Sequence, residues 1–390
     1  MSAAVLERRQ SRAPDPWIAG TAVVLLLIGI VMVASASMSI ADNEIGAPFY
    51  YVLRQLAYAA IGLLAAYAAY SVPTVIWEHT GPLLLAAAFA LLTLVLVPGV
   101  GHTVNGSTRW VSLGVANLQV SEPARLLILM YLCGYVVRQR DSLSQSFTGF
   151  LKPLLVVILA CGLLLAEPDF GAATVLLAAS LGVLLVGGVR LRDFCLLFVM
   201  ALLAFGALAV TSAYRMKRLT SFLDPWADPY NTGFQLTQSL IAIGRGEWLG
   251  VGLGSSVQKL FYLPEAHTDF LFAVLAEEFG LLGVTVTIGL FAMLVGRAFW
   301  IAERAARLER PFQACMAFAI ASLLGLQAAI NIGVNMGLLP TKGLTLPLLS
   351  YGGSSLLVTC VAVGLLLRIH HETTALKAAG PRRNDAGRHK

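Results

Sequence analysis

Residues 270–295 read FLFAVLAEEFGLLGVTVTIGLFAMLV, and Glu277 and Glu278 are the only charged residues in this stretch. A transmembrane helix takes roughly 20 apolar residues, so the stretch is long enough to cross a bilayer. A charged group near the middle of a bilayer is costly unless it is paired or faces a cavity, and the two acids are therefore candidates for a functional role. The stretch predicts a membrane-spanning helix that carries two buried carboxylates.

The composition of the whole chain agrees with this prediction. Of its 390 residues, 58% are hydrophobic and only 12% are Asp, Glu, Lys or Arg, which is about half the charged fraction of an ordinary soluble domain. This excludes a water-soluble enzyme and a disordered chain. Apolar runs predict ten membrane-spanning helices, so the expected fold class is all-α and polytopic. The predicted spans are 17–38, 51–72, 81–97, 123–137, 151–166, 171–189, 194–212, 270–295, 312–332 and 354–369.

With ten spans, both termini lie on one side of the membrane. Residues 17–369 then form the membrane domain, and residues 1–16 and 370–390 form two tails. More Lys and Arg residues fall on the side of the termini than on the other side, and the positive-inside rule puts the termini in the cytoplasm. This orientation explains the formal net charge of +6, because the basic residues are scattered among apolar runs rather than gathered on one nucleic-acid-binding face.

The termini and the cysteines give little further information about function. The basic start lacks the short apolar core and cleavage site of a removable signal peptide. The polar, basic segment 370–390 is predicted to be a solvated tail, with partner binding as the alternative. All five cysteines lie in apolar stretches, where small hydrophobic side chains need no partner. We therefore expect neither a disulfide nor a metal–thiolate site.

One connection is much longer than the others, and it lies on the outer side between the seventh and eighth spans. Residues 213–269 include the turn-like run DPWADP at 224–229 and a stretch at 231–243 that is predicted to be a helix in the outer membrane interface. Functional residues usually lie on long ordered loops of a rigid scaffold. The loop is therefore predicted to contribute to a site.

The loop ends in residues 262–270, YLPEAHTDF, where Asp269 is followed directly by the apolar eighth span. Thr268 or Asp269 could cap that helix by accepting hydrogen bonds from its free N–H groups. A carboxylate held at the membrane boundary could also act as a general base that takes a proton from a substrate hydroxyl, and the two roles are compatible. His267 is an alternative base.

Polar residues also interrupt other apolar stretches. Glu122 and Arg125 are spaced i, i+3 at the head of the fourth span and can pair on one helix face. Residues 167–171, EPDFG, break the chain between the fifth and sixth spans. Residues 339–355, LPTKGLTLPLLSYGGSS, combine prolines, glycines and hydroxyls at membrane depth. Irregular backbone at that depth is tolerated only against protein or a cavity, so this last segment is predicted to be broken or re-entrant.

Several cations lie on the outer side, against the positive-inside bias. Arg109 and Lys342 stand in short outer loops, where cations indicate either contact with lipid headgroups or an anionic ligand. A diphosphate is the obvious membrane-associated anion. The other members of this predicted basic ring are Arg54, Arg215, Lys217, Arg218, Arg245 and Lys259.

These motifs resemble the SEDS family (shape, elongation, division and sporulation), membrane glycosyltransferases of bacterial cell-wall synthesis. The resemblance covers nearly the whole chain and is most specific at 252–259 (GLGSSVQK), 262–270, 276–278 (AEE) and 340–355. Residues 340–347, PTKGLTLP, are closer to the division branch of the family than to the elongation branch. One site departs from the family pattern: QVSE at 119–122 stands where Gln-Pro-Ser-Glu is frequent, and Arg125 replaces a lysine, so the cation is kept.

The resemblance implies a reaction and a place for it. Lipid II, a disaccharide-pentapeptide on undecaprenyl diphosphate, would be polymerised into glycan at the outer face of the cytoplasmic membrane, at the division septum. The resemblance also places the essential aspartate of the family on Asp269. The implied partners are a class B penicillin-binding protein, which cross-links the strands, and the divisome proteins, and no nucleic acid is expected.

The expected chemistry needs a base on one side and cations at the leaving diphosphate. Asp269 is the predicted base. A divalent cation, Mg²⁺ or Mn²⁺, is only a hypothesis for holding the diphosphate, since no acidic cluster forms a clear cage. The candidate substrate-binding residues are Arg109, Lys259, Lys342, Glu122, Arg125, Arg245, His267, Ser350 and Ser354, with Arg215, Lys217 and Arg218 behind them.

Two other classes of function compete with the polymerase. A flippase that moves lipid II across the bilayer would need polar residues along the full membrane depth and two access states, and Glu122, Arg125, Glu277 and Glu278 make this conceivable. A non-catalytic divisome scaffold has no need of a carboxylate and a basic ring at one depth. The crowding of polar residues toward the outer side favours the polymerase.

Overall fold

A computed structural model describes residues 14–104, 107–112, 114, 117–210, 216, 220–341 and 343–379 of the chain. Helices account for most of these residues, and a short sheet accounts for a few. The helices are α1 Pro16–Ile45, α2 Tyr50–Ser71, α3 Thr74–His79, α4 Gly81–Val95, α5 Ser121–Arg138, α6 Arg140–Gln145, α7 Phe147–Ala166, α8 Phe170–Val186, α9 Leu191–Val210, α10 Phe234–Gly246, α11 Leu271–Arg307, α12 Pro311–Asn335 and α13 Gly353–Ala379. The strands are β1 Gly101–Val104, β2 Ser107–Ser112 and β3 Asn117–Gln119.

The helices fall where the apolar runs predict them. Each of the ten predicted spans overlaps one helix. Within the described ranges, six helices are long and apolar enough to cross a membrane, namely Pro16–Ile45, Tyr50–Ser71, Gly149–Ala166, Leu271–Arg307, Pro311–Asn335 and Gly353–Ala375. The prediction of a mostly helical, multi-pass membrane protein is thus confirmed, while the number of crossings stays a prediction.

The all-α prediction is wrong for one segment. Strands β1, β2 and β3 form an antiparallel sheet in that order, with His102 opposite Trp110 and Trp110 opposite Gln119. Threonine, valine and tryptophan favour the pleated backbone of a strand, and the segment is too short and too polar to continue the flanking helices. The sheet matters for the site because Arg109 is a residue of β2.

The core of the protein is one continuous cluster of buried apolar side chains. Leu25 of α1, Leu129 of α5, Leu176 of α8, Phe272 of α11 and Leu365 of α13 are among its buried members. Sharing one core ties these helices into a single bundle. The side chains that face away from the core are largely apolar too, as expected for a surface that lipid covers.

Helix α11 is bent at Gly280, whose φ of 61° and ψ of −160° are not helical. The bend leaves carbonyl groups of the helix without an N–H partner in the helix itself. Residues that follow α10 donate hydrogen bonds to these carbonyls. The N–H of Val251 donates to the carbonyl of Glu277 at 3.0 Å, and the N–H of Gly252 donates to that of Glu278 at 3.1 Å. A Cβ atom at position 280 would lie 2.4 Å from the backbone nitrogen of Gly250. Only glycine fits this bend.

The two ends of the chain are packed into the bundle further than predicted. The Asp15 carboxylate accepts from the N–H groups of Trp17 and Ile18 and caps α1, and it also pairs with Arg297 at 2.8 Å. Helix α13 continues past the predicted boundary at 369, and Glu372 accepts from the N–H of Thr74 at 3.0 Å. The predicted boundary of the solvated tail at residue 370 is therefore too early, because residues 370–379 belong to helix α13. Residues 1–13 and 380–390 lie outside the described ranges.

Replacing Gly280 by alanine should destabilise the protein. The backbone conformation at this position costs a non-glycine residue about 1–3 kcal/mol, and overpacking against Gly250 costs about 1–3 kcal/mol more. Gly289→Ala is the matched control, because it lies on the same helix and its added Cβ meets nothing within 4 Å. We expect the thermal unfolding midpoint in detergent to drop in Gly280→Ala and to stay near that of the wild type in Gly289→Ala. Equal midpoints in the two variants would contradict the bend.

Candidate active site

Two asparagines of α12 hold the loop residue Asp269 in place. The side-chain amides of Asn331 and Asn335 donate to the backbone carbonyl of Asp269 at 2.9 Å and 3.0 Å. The Oδ1 atom of Asn335 accepts from the N–H of Ala273 at 3.1 Å and thereby caps α11 from a neighbouring helix. The position of Asp269 is therefore fixed through its backbone, while its side chain is half-buried at the head of α11.

The structure puts Phe270, rather than Thr268 or Asp269, in the capping position of α11. The helix begins at Leu271 with Phe270 in the capping position, and the Thr268 hydroxyl donates to Glu265 instead, at 2.7 Å. Because Asn335 supplies the acceptor that the helix needs, the carboxylate of Asp269 is not required for capping.

The side chains of Asp269 and Arg109 border one gap at Gly343. A Cβ atom placed on Gly343 would lie 3.2 Å from Oδ2 of Asp269 and 3.9 Å from Nη2 of Arg109. Gly343 belongs to the irregular segment between α12 and α13, and it is exposed. A carboxylate that can accept a proton and a guanidinium that can bind an anion thus face the same accessible space.

Behind Arg109 lies the turn between α7 and α8. Oδ2 of Asp169 is 3.9 Å from Nη1 of Arg109 and accepts from the hydroxyl of Ser121 at 3.0 Å. Its other oxygen, Oδ1, accepts from the N–H of Ala172 at 3.0 Å and caps α8. The sequence pattern predicts a helix break at this turn, but it does not single out Asp169 as a site residue. The position of Asp169 between two apolar spans was a usable signal. An acid at a membrane helix is costly unless a cation lies nearby, so such an acid indicates a polar site.

Glu167, in the same turn, is fully buried. Among the described residues, neither of its carboxylate oxygens has a hydrogen-bond partner. Burial raises the pKa of Glu167 to about 8; the charge of Asp169 acts in the same direction, and that of Arg109 opposes it. The carboxyl group is therefore mainly protonated and neutral at pH 7. Sequence reasoning also missed this residue, since burial of a turn is not visible in the pattern.

The irregular segment between α12 and α13 is held by side chains, as a broken segment at membrane depth requires. Gln327 of α12 donates to the carbonyl of Thr345 at 3.1 Å. The Ser350 hydroxyl accepts from the N–H of Leu346 at 3.0 Å, and the Ser354 hydroxyl accepts from the N–H of Gln119 at 2.9 Å. The predicted non-helical segment is confirmed, and the two predicted substrate-binding serines are buried and bonded to backbone. Their hydroxyls stabilise the loop rather than line the gap.

Glu122 and Arg125 form the predicted ion pair on one face of α5, and both are buried. The Arg125 Nε donates to the carbonyl of Ser121 at 3.3 Å. Ser121 in turn donates to Asp169. The pair therefore lies underneath the site and connects to it through one serine.

The structure pairs Lys259 and Arg245 with the two acids of α11, and it corrects the predicted role of Lys259. Lys259 is buried, and its ammonium donates to Glu278 at 2.7 Å and to the hydroxyl of Ser35 at 2.8 Å. Nη1 of Arg245 lies 3.2 Å from Oε1 of Glu277. Lys259 is therefore a partner of a buried acid and is not positioned to bind a diphosphate. Glu277 and Glu278, the two acids of the predicted eighth span, therefore hold α10 and the segment after it against α11.

The alternative base, His267, lies among aromatic rings. Its ring centroid is 4.8 Å from that of Tyr51 and 5.6 Å from that of Tyr351. Burial lowers the pKa of His267, against the opposing charges of Glu265 and Glu44, so the ring is neutral at pH 7. A neutral imidazole can accept a proton, and His267 stays a candidate beside Asp269.

The other predicted site residues fall outside the described ranges. These are Arg215, Lys217, Arg218 and Lys342. In the part of the chain that the structure covers, no group of three or more His, Cys, Asp or Glu side chains could hold a metal ion. These residues thus offer no acidic cage, and Mg²⁺ or Mn²⁺ stays a hypothesis.

The fold and the site together define a class of protein. It is a multi-pass membrane protein in which an acid and a cation at one end of the bundle face a common gap. The family model FTSW_RODA_SPOVE, described as "Cell cycle protein", matches residues 17–375. The chain belongs to this family.

Curated relatives match along nearly the whole chain. A protein of Thioalkalivibrio sulfidiphilus is 57% identical over 94% of this chain and 92% of its own length. One of Nitrosococcus halophilus is 54% identical over 94% of each chain. Both are named "Probable peptidoglycan glycosyltransferase FtsW". The resemblance to the division branch of the family is thus confirmed.

Solved structures share the fold. One similar chain comes from a solved structure described as "Structural coordination of polymerization and crosslinking by a peptidoglycan synthase complex". It is 31% identical, covers 93% of this chain and 98% of that chain, and has a TM-score of 0.73. The rod shape determining protein RodA of Thermus thermophilus is 28% identical, covers 92% and 97% of the two chains, and has a TM-score of 0.67.

Substituting Lys259 by methionine should strongly destabilise the protein, by about 3–5 kcal/mol, because it leaves the Glu278 carboxylate buried without its cation. Adding Glu278→Gln removes the unpaired charge and should recover a large part of the loss. Arg307→Met is the control, since Arg307 and its partner Glu303 are exposed and such pairs contribute at most about 1 kcal/mol. Thermal unfolding in detergent measures all three; no recovery in the double variant would argue against the pair.

Glu167 should make stability depend on pH. The folded protein holds a proton on this carboxyl up to about pH 8, whereas the unfolded chain releases it near 4.5. The stabilising contribution is therefore complete below the unfolded pKa and is lost as the pH rises through the folded pKa. We expect the unfolding midpoint to fall between about pH 5 and 8 and to fall less in Glu167→Gln. Glu309→Gln, which removes an exposed acid, is the control and should follow the wild type.

Proposed function

We propose that this chain is a peptidoglycan glycosyltransferase that polymerises lipid II into glycan strands at the division septum and releases undecaprenyl diphosphate. The observation that carries the proposal is the gap at Gly343, which Asp269 and Arg109 both border. The names of the close relatives support the same activity. The site has the two groups that the reaction needs, a base and a cation.

The proposed reaction is a direct displacement. The 4-hydroxyl of the acceptor lipid II attacks the anomeric carbon of the growing chain, a new carbon–oxygen bond forms, and the bond from that carbon to the diphosphate breaks. Asp269 takes the proton of the hydroxyl as this happens. The configuration at the anomeric carbon is inverted, because the nucleophile enters opposite the leaving group.

Arg109 is the proposed cation for the leaving diphosphate. Its charge is opposed by Asp169 at 3.9 Å and by the nearby carboxylate of Asp269. The protonated state of Glu167 removes a further negative charge from this neighbourhood, so Arg109 retains more of its attraction for an anion. Lys342, next to Gly343 in the chain, is proposed as a second cation.

The proposed setting follows from the family and from the orientation that the basic residues predict. Ten helices cross the cytoplasmic membrane, both termini lie in the cytoplasm, and the gap opens on the extracytoplasmic face. A class B penicillin-binding protein is the proposed partner, and the similarity to a chain of a peptidoglycan synthase complex supports it. Divisome proteins are proposed to control where the complex works.

The flippase alternative receives less support. A flippase needs polar side chains along the membrane depth that are available to contact the lipid headgroup. The acids Glu277 and Glu278 are already bonded to Arg245, Lys259 and Ser35. Both acids are buried. Polar groups that face accessible space are found at the Asp269 end.

Replacing Asp269 by asparagine should lower the rate of lipid II polymerisation by about 10²- to 10⁴-fold, since the amide cannot act as a base. The assay follows glycan chains made by the purified protein, alone and with its cognate transpeptidase. Glu265→Gln is the matched control, because it makes the same change to an exposed acid of the same loop and should keep the wild-type rate.

An active Asp269→Asn protein would refute the proposed base. If no preparation makes glycan and lipid II instead moves between the leaflets of a vesicle, the flippase is the correct function. Loss of activity in Asp269→Asn with an unchanged unfolding midpoint and an active control would support the proposed mechanism.

A further inference from the structure

The end of the bundle opposite Asp269 carries two neighbouring clefts. Helix α11 starts beside Asp269 and runs for 37 residues, which is up to about 55 Å of axial length. Near its far end lies a cleft of about 300 Å³, lined by Trp300, Glu303, Arg304, Arg307 and Leu308. A second cleft, of about 320 Å³, is lined by Trp17, Ala292, Met293, Gly296, Arg297 and Trp300. Trp300 belongs to both, so the clefts are adjacent.

The first cleft is basic. Arg307 is paired with Glu303 at 2.5 Å, whereas Arg304 forms no ion pair with any described acid. The Arg304 guanidinium lies 5.2 Å from the centroid of the Trp300 ring, a contact that holds the cation near the cleft. The cleft therefore carries an uncompensated positive charge and is complementary to an anion.

The second cleft is mostly apolar and lies at the end of the predicted eighth span. Ala292 and Met293 stand about two turns before Trp300 on α11, and Trp17 of α1 forms the opposite wall. A Cβ atom on Gly296 would meet nothing within 4 Å, so the helix surface is open at this point. Its one charged wall residue, Arg297, is neutralised by Asp15 at 2.8 Å. An apolar slot of this kind suits a hydrocarbon chain.

We propose that the two clefts bind one anionic glycerophospholipid. Its phosphate contacts Arg304 and Arg307 beside Trp300, and one acyl chain lies along Ala292, Met293 and Gly296. Tryptophan at this level is typical of the interface between headgroups and hydrocarbon. Basic pockets between membrane helices recognise anionic headgroups in the same way. In the orientation proposed above, the lipid comes from the cytoplasmic leaflet, which is the leaflet rich in anionic lipid.

The binding would link two helices that meet at this end of the bundle. Trp17 is the second residue of α1, and Asp15, which caps α1, is paired with Arg297 of α11. A lipid seated against Trp17 and α11 covers this junction. The site is independent of the reaction at Asp269, so its failure would leave the proposed function untouched.

The test uses the purified full chain in detergent and native mass spectrometry with dioleoylphosphatidylglycerol, dioleoylphosphatidylcholine and glycerol 3-phosphate as probes. Phosphatidylglycerol should bind more tightly than phosphatidylcholine. Arg304→Gln and Arg307→Gln should each weaken phosphatidylglycerol about fivefold, the effect of one cation near a lipid phosphate. Arg192→Gln is the matched control, since its side chain is 83% exposed and lines neither cleft, and it should bind like the wild type.

Gly296→Leu separates a lipid from a free anion. An added Cβ at this position meets nothing within 4 Å, so the leucine side chain should extend into the apolar cleft. It should weaken both lipids while leaving the unfolding midpoint in lipid-free detergent unchanged. Glycerol 3-phosphate should bind far more weakly than phosphatidylglycerol. Equal binding of glycerol 3-phosphate with no effect of Gly296→Leu would overturn the proposal in favour of a soluble-anion site. If Arg192→Gln and Arg304→Gln weakened phosphatidylglycerol binding equally, the lipid would be held by nonspecific charge attraction, and the proposal would be overturned.

Discussion

Backbone N–H and C=O groups at membrane depth have to find hydrogen-bond partners inside the protein, because lipid offers none. Two of the departures from regular helix among the described residues show how neighbouring residues provide these partners. At Gly280 the freed carbonyls of α11 accept from the segment that follows α10. Between α12 and α13 the amides of Gln327 and Asn331 donate to the carbonyls of Thr345 and Leu344. Much of what distinguishes this protein from a simple helical bundle follows from satisfying these groups.

The same requirement places the candidate base. Asn331 bonds the carbonyl of Asp269 as well as that of Leu344, one residue after Gly343. One side chain of α12 therefore fixes the Asp269 and Gly343 segments, so their separation depends on a rigid helix rather than on loop packing. Arg109 reaches the gap from a sheet, and Asp169 lies behind it in a turn between two helices. The site is assembled from four separate parts of the chain.

The sequence allowed some of this to be predicted, and physical reasons explain the rest. Apolar runs located the helices because lipid demands continuous hydrophobicity, and the polar runs at 262–270 and 339–355 marked the segments that meet at the site. Patterns in one chain do not show which charges pair across space, so Lys259 was placed with the diphosphate although it neutralises Glu278. Likewise, the capping role of Asn335 and the burial of Glu167 arise from contacts between distant segments. The sheet was missed because three short strands are lost among long apolar runs.

The absence of a side chain at Gly343 has a consequence for drug resistance. In the proposed mechanism, a compound that filled the space between Asp269 and Arg109 would occupy the place of the substrate. A cell could escape such a compound by enlarging residue 343, but even one added carbon would come within 3.2 Å of the Asp269 carboxylate. The change that excludes the inhibitor would take the same room from the enzyme's own acceptor and donor. If the proposed mechanism is right, enlarging residue 343 therefore carries a cost in activity.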